Sequence, residues 1–244
     1  MRYLIALVIL FAFNSIGFTQ IDSLNQIDNK GLKQGVWKKN YDNDKVRYRG
    51  EFKNDSPIGT FIYYTYNGKL SHKVEHTGSI SNTTFYHLNG KLMGTGQYIN
   101  QKREGEWKYY DNKQILSKKE NYIKDKLQGK SSIYYVNGQP SKVMTYFDGL
   151  IQDEVKEYFA TGELKFTGKY IDGNPDSLVT YYHPSGNRRI EGKYQDAVKH
   201  GKWTYYDELG KIKAHEFYNL GIVTKHILIE NGKAVEQSIG IDEK

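Results

Sequence analysis

The feature that most constrains the fold of this chain is an aromatic pattern that repeats about every 24 residues. One column of Tyr steps by 24 residues, and a column of adjacent aromatic pairs steps by 22 to 25. The first column holds six Tyr and the second holds 12, so 18 of the 22 Tyr are in register. Such a period is typical of folds that stack one supersecondary unit on the next. The columns are Tyr98, Tyr122, Tyr146, Tyr170, Tyr194 and Tyr218, and Tyr63-Tyr64, Phe85-Tyr86, Tyr109-Tyr110, Tyr134-Tyr135, Tyr158-Phe159, Tyr181-Tyr182 and Tyr205-Tyr206.

The repeating unit has the pattern of a β-hairpin. Asn67-Gly68, Asn89-Gly90 and Asn137-Gly138 each follow an aromatic pair and separate two alternating segments. Asn-Gly in this position predicts a type I′ turn, in which both residues have positive φ. Polar connections such as Asn100 to Glu104 and Lys124 to Gln128 predict a second set of turns. The fold class is therefore all-β: an elongated antiparallel sheet of about eight stacked hairpins, each of 24 residues.

Alternation within a strand predicts which side chains share a face. In the unit that begins at Gly201, Trp203 and Tyr205 are expected on one face and Tyr206 on the other. In the return strand, Ile212 and Ala214 are expected on one face together with Tyr218. Because the chain is poor in aliphatic residues, the face that carries Trp203 is predicted to be the core.

The opposite face is the candidate interaction surface. Its aromatic side chains recur at the repeat spacing and are expected to reach solvent, where stacked Tyr can contact a protein or another ligand. The residues of this candidate surface are Tyr64, Tyr110, Tyr135, Tyr182 and Tyr206.

The first residues resemble an export signal. Arg2 is followed by an apolar run from Tyr3 to Phe13, then by Ser15 and Gly17 at spacing suitable for cleavage. The run has about 11 residues, whereas a membrane-spanning helix needs roughly 20, so the mature chain is predicted to lack a transmembrane anchor.

The chain divides into four predicted segments. Residues 1–19 are a signal peptide and 20–34 a flexible leader, 35–222 are the hairpin array, and 223–244 are a degenerate terminal repeat with a tail. The predicted location is exported, either in the periplasm, at the outer envelope or secreted.

Composition narrows the chemistry. The chain has no Cys, which excludes disulfides, thiolate zinc sites and Cys nucleophiles. It contains 35 Lys and Arg against 28 Asp and Glu, and the resulting charge of +7 permits an anionic partner without requiring one. No phosphate-binding loop or nucleophile elbow is present, so no catalytic or cofactor-binding residue is predicted.

One motif matches a zinc-protease signature. His72, Glu75 and His76 form H-x-x-E-H, which binds zinc when it lies on a helix. The repeat instead places these residues in a return strand, where four residues span about 13 Å. No metal site is therefore predicted, and a zinc hydrolase is the least favoured alternative.

The combination of Gly-x-Trp-x-x-Tyr, an Asn-Gly turn and Gly-x-Tyr resembles the MORN repeat in its bacterial variant. The best matches are Gly35 to Tyr41, Gly105 to Tyr122 and Gly201 to Tyr218, and the weakest is Ser79 to Gly96. The resemblance implies a hairpin-repeat fold and a role as spacer, dimerisation surface, membrane-proximal module or partner-binding sheet. Relatives are often labelled antitoxins, so an antitoxin-like partner-binding protein is an alternative that the resemblance implies.

The expected function is a non-enzymatic scaffold or structural module of the cell envelope that binds a protein or envelope partner. The export signal argues against nucleic acid as a partner. Open sheet edges make a homodimer through those edges a further expectation. The first alternative is a binding module for anionic polysaccharide or lipid headgroups, through Lys165, Lys169, Lys193, Lys211 and Lys213.

Overall fold

The computed structural model describes residues 23–237. The predicted signal peptide, 1–19, and residues 238–244 lie outside this range. The described chain has no helix and forms one open antiparallel sheet, which confirms the predicted all-β, elongated fold. The strands are β1 (Gln26–Ile27), β2 (Lys33–Asn40), β3 (Val46–Lys53), β4 (Ser56–Tyr64), β5 (Leu70–Thr77), β6 (Ile80–Tyr86), β7 (Leu92–Ile99), β8 (Lys102–Tyr110), β9 (Leu116–Ile123), β10 (Lys126–Leu127), β11 (Gly129–Tyr134), β12 (Pro140–Phe147), β13 (Leu150–Tyr158), β14 (Leu164–Ile171), β15 (Asn174–Tyr182), β16 (Arg188–Gln195), β17 (Val198–Tyr206), β18 (Ile212–Asn219), β19 (Ile222–Glu230) and β20 (Lys233–Gln237).

Strands that are consecutive in the sequence are neighbours in the sheet. Each pairs antiparallel with the next, and β9 pairs with both β10 and β11 because the first strand of that hairpin is interrupted at Gln128. Residues 23–34, the described part of the expected leader, contain β1, which pairs with the start of β2. At the other end β19 and β20 pair as one more hairpin.

The turns after the aromatic pairs differ from the predicted type. The amide of Gly68 donates to the carbonyl of Thr65 at 2.8 Å, and the amide of Thr65 donates to the carbonyl of Lys69 at 2.7 Å. Gly68 has a φ of 81°, whereas Asn67 is not in the positive-φ region. The prediction of type I′ turns at Asn-Gly is therefore wrong: residues 65–68 form a type I turn, and only the glycine that follows needs positive φ.

The type I′ turns occur instead at the opposite ends of the strands. Asn100 and Gln101 have φ of 50° and 65°, and Lys124 and Asp125 have 49° and 72°. Each connection is thus a two-residue turn, shorter than the five-residue connections expected from the sequence, and the polar residues after it already belong to the next strand.

A bulge beside each turn corrects one predicted face. Tyr205 pairs with Ala214, but Tyr206 pairs with Ile212, so Lys213 is an extra residue in the return strand. Directly opposed residues share a face. Ile212 therefore lies with Tyr206 rather than with Ala214 and Tyr218. Leu164 is displaced from the face of Phe166 in the same way, because it pairs with Tyr158.

The core lies on one face of this single sheet. Trp203 is 1% exposed although no second layer covers it. Its indole lies flat over Gly192 of the preceding strand, where any Cβ would overlap the ring. Trp107 covers Gly96 in the same way. A ring that lies on backbone loses its solvent contact without a second sheet, and this explains how a one-layer fold buries large side chains.

The return-strand Tyr column completes this core. Tyr194 and Tyr218 flank Trp203 at centroid distances of 5.2 and 6.0 Å, both edge-to-face. Edge-to-face contacts add to the energy of simple burial. The prediction that Trp203 and Tyr205 belong to the core face, with Tyr206 opposite, is confirmed by the pairing and by the burial of Trp203.

Candidate interaction surface

Four of the five candidate Tyr occupy equivalent positions at the turn ends of first strands. Tyr64, Tyr110, Tyr182 and Tyr206 are the last residues of β4, β8, β15 and β17. All four are half-buried rather than exposed. The guanidinium of Arg188 lies 5.0 Å from the ring centroid of Tyr206, a cation–π contact that covers part of the ring. These Tyr therefore offer edges and hydroxyls to a partner more than open ring faces.

Tyr135 occupies a different position. Tyr134 ends β11 and is the counterpart of Tyr64, while Tyr135 is the first residue of the turn. Its hydroxyl donates to the carbonyl of Tyr158 at 2.8 Å. The aromatic pairs Tyr134-Tyr135 and Tyr158-Phe159 are thus one residue out of register with the other five, and the Tyr135 hydroxyl links two neighbouring hairpins.

A more exposed surface lies at the other ends of the strands. Ile123, Phe147 and Ile171 are 48%, 66% and 41% exposed, and Leu150 is 49% exposed. Phe147 and Leu150 face each other across a type I′ turn. Alternation places these side chains on the face opposite to the core, because each of the first three follows a core Tyr. We call Ile99, Ile123, Phe147, Leu150 and Ile171 the apolar stripe.

The sequence carries a signal for this stripe that the spacing of the Tyr columns alone does not reveal. Ile99, Ile123, Phe147 and Ile171 recur every 24 residues, directly after the Tyr column. Exposed apolar surface that is grouped on one part of a protein marks interaction sites. Lys126 lies between Ile123 and Phe147, and Ile99 is half-buried, so the stripe is a row of separate apolar contacts. Its exposed members offer more apolar surface to a partner than the half-buried Tyr.

The five Lys proposed to bind anionic material do not lie on one face. Lys169 pairs with Glu154 and Lys193 with Leu178, on the face opposite to the core. Lys165 and Lys213 occupy bulges, and Lys211 lies in a turn. Their charges are thus distributed around the sheet.

The structure also assembles two clusters on the core face, each with Tyr side chains around a carboxylate. The first cluster contains Tyr109, Glu120 and Tyr122, and the second contains Tyr205, Glu216 and Tyr218. In the second cluster, Tyr205 and Tyr218 both donate to Oε2 of Glu216, and the Tyr218 bond is 2.7 Å. Lys199 donates to the Tyr218 hydroxyl at 2.9 Å and lies 4.4 Å from the Trp203 ring centroid. In the first cluster the hydroxyl of Tyr122 donates to Oε2 of Glu120 at 2.8 Å.

Neighbouring groups keep Glu216 ionised. Burial opposes its ionisation, but the hydrogen bonds from Tyr205 and Tyr218 and the charges of Lys199 and His226 outweigh that effect and hold the Glu216 pKa below its ordinary value. Burial and the same hydrogen bond raise the pKa of Tyr205, so its hydroxyl stays a donor. The sequence did not single out this Glu because each residue of the cluster lies in a different part of the repeat.

His72, Glu75 and His76 do not converge. All three lie in β5, as predicted. His72 stacks on Tyr63 with ring centroids 4.3 Å apart, and His76 hydrogen-bonds Ser81 at 2.9 Å, while Glu75 lies on the other face. Burial lowers the pKa of both His. Within residues 23–237, no three His, Asp or Glu side chains are placed to hold a metal ion, and no helix has the length and apolarity needed to cross a membrane.

The fold and surfaces define a protein built from consecutive β-hairpin repeats. The family model of the MORN repeat variant matches residues 33–54, 82–100 and 199–220. Three segments of the chain therefore match the MORN repeat variant, and the resemblance predicted from the sequence is confirmed there. The match over 82–100 overlaps the unit that the sequence ranked weakest. Repeats of this family are generally protein- or membrane-binding modules, in agreement with a non-enzymatic repeat scaffold.

Comparison with curated proteins and solved structures adds little. No curated protein matches the chain. The match to TarM has 13% identity and a TM-score of 0.25, and it covers 42% of this chain and 18% of TarM. The complex TcdB2-TccC3-Cdc42 is 10% identical over 84% of this chain and 14% of that chain, with a TM-score of 0.24. A porin-like protein from Bacteroides uniformis is 9% identical over 82% of this chain and 92% of its own, with a TM-score of 0.19. These TM-scores are too low to support a statement about fold or function.

Proposed function

We propose that this protein is an exported, non-enzymatic scaffold that binds a protein partner of the cell envelope through the apolar stripe. One observation carries the proposal: Ile123, Phe147 and Ile171 expose apolar surface at the same position of consecutive repeats. A partner with a matching repeat or an extended apolar segment contacts several of them at once, and linked weak contacts give high avidity.

Export rests on the composition of residues 1–19. The test is the mass of the protein recovered from the envelope or medium of cells that express the full chain. A mass that corresponds to loss of about 17 to 20 residues supports cleavage of a signal peptide. An intact chain found only in the cytoplasm contradicts this part of the proposal.

The binding proposal is tested with a three-site variant of the apolar stripe. Ile123→Thr, Phe147→Thr and Ile171→Thr keep β-branched residues in the sheet while removing apolar surface. A matched control replaces Leu88, Val136 and Leu209, which are 68%, 67% and 78% exposed at the opposite strand ends, by Thr. A third variant replaces Tyr110, Tyr182 and Tyr206 by Thr and tests the Tyr column.

The proteins are used as bait against envelope extract, and any retained protein is then purified and titrated against each variant. Circular dichroism first establishes that the variants are folded. We expect the stripe variant to bind the partner at least tenfold more weakly, a loss on the order of 1.4 kcal/mol in binding free energy, and the control to bind it with unchanged affinity. Equal binding by the stripe variant and the native protein contradicts the proposal. Binding lost only from the Tyr variant assigns the contact to the Tyr column instead.

A further inference from the structure

The two Tyr–carboxylate clusters are copies of one arrangement with one difference. Tyr109, Glu120 and Tyr122 lie 96 residues before Tyr205, Glu216 and Tyr218, which is four repeats of 24. In the sheet Tyr109 pairs with Lys118, and Tyr205 pairs with Ala214 at the corresponding position. The first cluster therefore has an ammonium group opposite its first Tyr, where the second cluster has a methyl group.

The first cluster shows what this position does when it is filled. The Lys118 ammonium is 2.9 Å from Oε1 of Glu120 and 4.4 Å from the ring centroid of Tyr109. One cation thus makes an ion pair and a cation–π contact, and the Glu120 side chain is only 11% exposed beside it. Oε2 of the same carboxylate accepts from Tyr122.

In the second cluster the corresponding space is a cavity of about 420 Å³ that opens to solvent. Tyr205, Ala214 and Glu216 line it in the positions of Tyr109, Lys118 and Glu120, and Ile190 and Leu228 add apolar wall. Both Tyr hydroxyls of this cluster donate to Oε2 of Glu216, the oxygen that corresponds to the one Tyr122 binds. At the position of Lys118 the chain supplies only the methyl group of Ala214, so no ammonium of this strand reaches Oε1, and the nearest basic side chain across the sheet is His226, which pairs with Glu216 and also lines the cavity.

We propose that this cavity is a receptor for the side chain of a lysine on a partner polypeptide. The ammonium pairs with Oε1 of Glu216 and lies over the Tyr205 ring, as Lys118 does in the first cluster, and the aliphatic stem contacts Ile190 and Leu228. The site lies on the core face, away from the apolar stripe. The inference rests on the proposed function in one respect only, that a partner polypeptide supplies the lysine.

The rim of the cavity sets the strength of this interaction. Arg189 and Lys213 line it, whereas Met93 and Ser117 occupy the corresponding positions of the first cluster. Two additional cations disfavour an incoming ammonium, so we expect weak binding by a single lysine, with a Kd on the order of millimolar. The same two side chains make an anion the competing occupant, and the test has to separate the two charges.

Three small probes of matched shape make that separation. N-acetyl-lysine methylamide carries the ammonium, N-acetyl-norleucine methylamide is its neutral counterpart, and N-acetyl-glutamate methylamide carries a carboxylate. Binding to the purified protein is measured by NMR from the shift of the Ala214 methyl signal. We expect the lysine probe to bind at least about tenfold more tightly than either of the others. Preferential binding of the glutamate probe, or equal binding of all three, overturns the proposal.

Variants of the site give a second, independent readout. Ala214→Lys supplies the ammonium in the chain and is expected to abolish probe binding, followed in this variant by the methyl signals of Leu228, while raising the melting temperature. Glu216→Gln keeps an acceptor for the Tyr hydroxyls and is expected to weaken the lysine probe at least about tenfold. Probe binding to Glu216→Gln is followed by the NMR signal of the new side-chain amide. An affinity equal to that of the native protein overturns the proposal.

Exchange of residues between the clusters completes the test. Arg189→Met with Lys213→Ser gives the second cluster the rim of the first, and we expect severalfold tighter lysine binding. Lys118→Ala opens the first cluster, and we expect the lysine probe to raise the melting temperature of this variant more than that of the native protein, because two sites are then available. Equal stabilisation of both proteins contradicts the internal equivalence on which the inference is based. None of these outcomes depends on the envelope partner, so failure of the lysine site and failure of the proposed scaffold are distinguishable.

Discussion

At the scale of single residues, the core depends on matched sizes across neighbouring strands. Large rings in first strands lie over Gly in the preceding return strand, as Phe61 does over Gly50. Where the first-strand residue is smaller, a longer side chain nearby fills the space: Met144 of the preceding strand packs with Val155, and Phe166 reaches over Gly168 beside Val179. In each case the volume between the strands is filled, as close packing at a constant strand spacing requires.

This matching predicts the effect of Gly192→Ala. The added methyl overlaps the Trp203 indole, so we expect a loss of about 3 kcal/mol in the free energy of unfolding, measured by urea denaturation. Trp203→Val is destabilising as well because it removes buried ring surface. The double variant restores a matched pair. Its loss in the free energy of unfolding is therefore expected to be smaller than the sum of the two single losses. Strict additivity in this cycle would show that ring and glycine do not act as a pair.

Two buried imidazoles make stability depend on pH. Burial lowers the pKa of His72 and of His76 in the folded state, whereas in the unfolded chain His takes up a proton near pH ~6.5. Between the unfolded and folded pKa values the unfolded state binds more protons, so stability is complete above about pH 6.5 and falls as pH decreases through the folded pKa.

The variant His72→Phe separates this effect from packing. Phe keeps an aromatic ring between Tyr63 and Phe85, which His72 contacts at centroid distances of 4.3 and 5.6 Å. We expect urea denaturation between pH 7 and pH 5 to show a smaller loss of stability for this variant than for the native protein. An identical pH profile would rule out His72 as a source of the dependence.

At the scale of elements, the two ends of each hairpin are built differently. The turns after the aromatic pairs are each closed by one residue of positive φ, which is Gly in most of them and Gln114 in the turn from Asp111. Several of these turns are linked in pairs by side chains of their first residue. Tyr41 and Tyr135 each donate a hydroxyl to a carbonyl 23 residues later at 2.8 Å, and His87 and His183 donate a ring N–H in the same way. The type I′ turns at the other ends place two successive residues at positive φ, and several of these residues are not Gly.

Leu220 adopts this left-handed backbone although Leu disfavours it. It has a φ of 48° and is 73% exposed in a type I′ turn with Gly221. Because Asn adopts left-handed backbone more readily than Leu, we expect Leu220→Asn to raise the free energy of unfolding by about 1 kcal/mol. Leu209 is 78% exposed in a turn without positive φ at its own position, so Leu209→Asn serves as the control and should change stability by less than ~0.5 kcal/mol. Equal effects of the two changes would mean that side-chain polarity, not backbone strain, is responsible.

At the scale of the whole molecule, each hairpin contacts only its neighbours, and the array is expected to tolerate loss of a complete unit. Deletion of residues 149–172 joins Asp148 to Gly173 and recreates the Asp-Gly turn found at both junctions. In the shortened chain Met144 meets Val179 instead of Val155, so the size match is preserved.

We expect the deletion variant to fold, with a urea m-value smaller by roughly a tenth because less surface is exposed on unfolding. The control deletion of residues 149–160 removes one strand, reverses the direction of all later strands relative to their partners and is expected to abolish cooperative unfolding. A 24-residue deletion that behaves like this control would show that the array is not modular. Circular dichroism and urea titration distinguish the two results.

The periodicity of Tyr and Gly along the chain was sufficient to predict the hairpin, the number of repeats and the core face, because alternation in a strand and the repeat length are both local properties. The turn type predicted at Asn-Gly was wrong, since Asn-Gly fits a type I turn that ends in Gly as well as type I′, and the hydrogen bonds between strands decide which one forms. The face of Ile212 was missed because the bulge at Lys213 appears only in the pairing with the neighbouring strand.

The sequence by itself determined that this chain is an array of β-hairpin repeats with segments that resemble the MORN variant, since those features depend on spacing along the chain. Only the tertiary structure decided which surfaces are free for binding. The exposure of Phe147, the half-burial of Tyr110 and the cavity beside Glu216 all depend on side chains from neighbouring strands, and the cavity is lined by residues between Arg189 and Leu228. Burial and cavities are properties of neighbours across a sheet, and a linear pattern does not contain those distances.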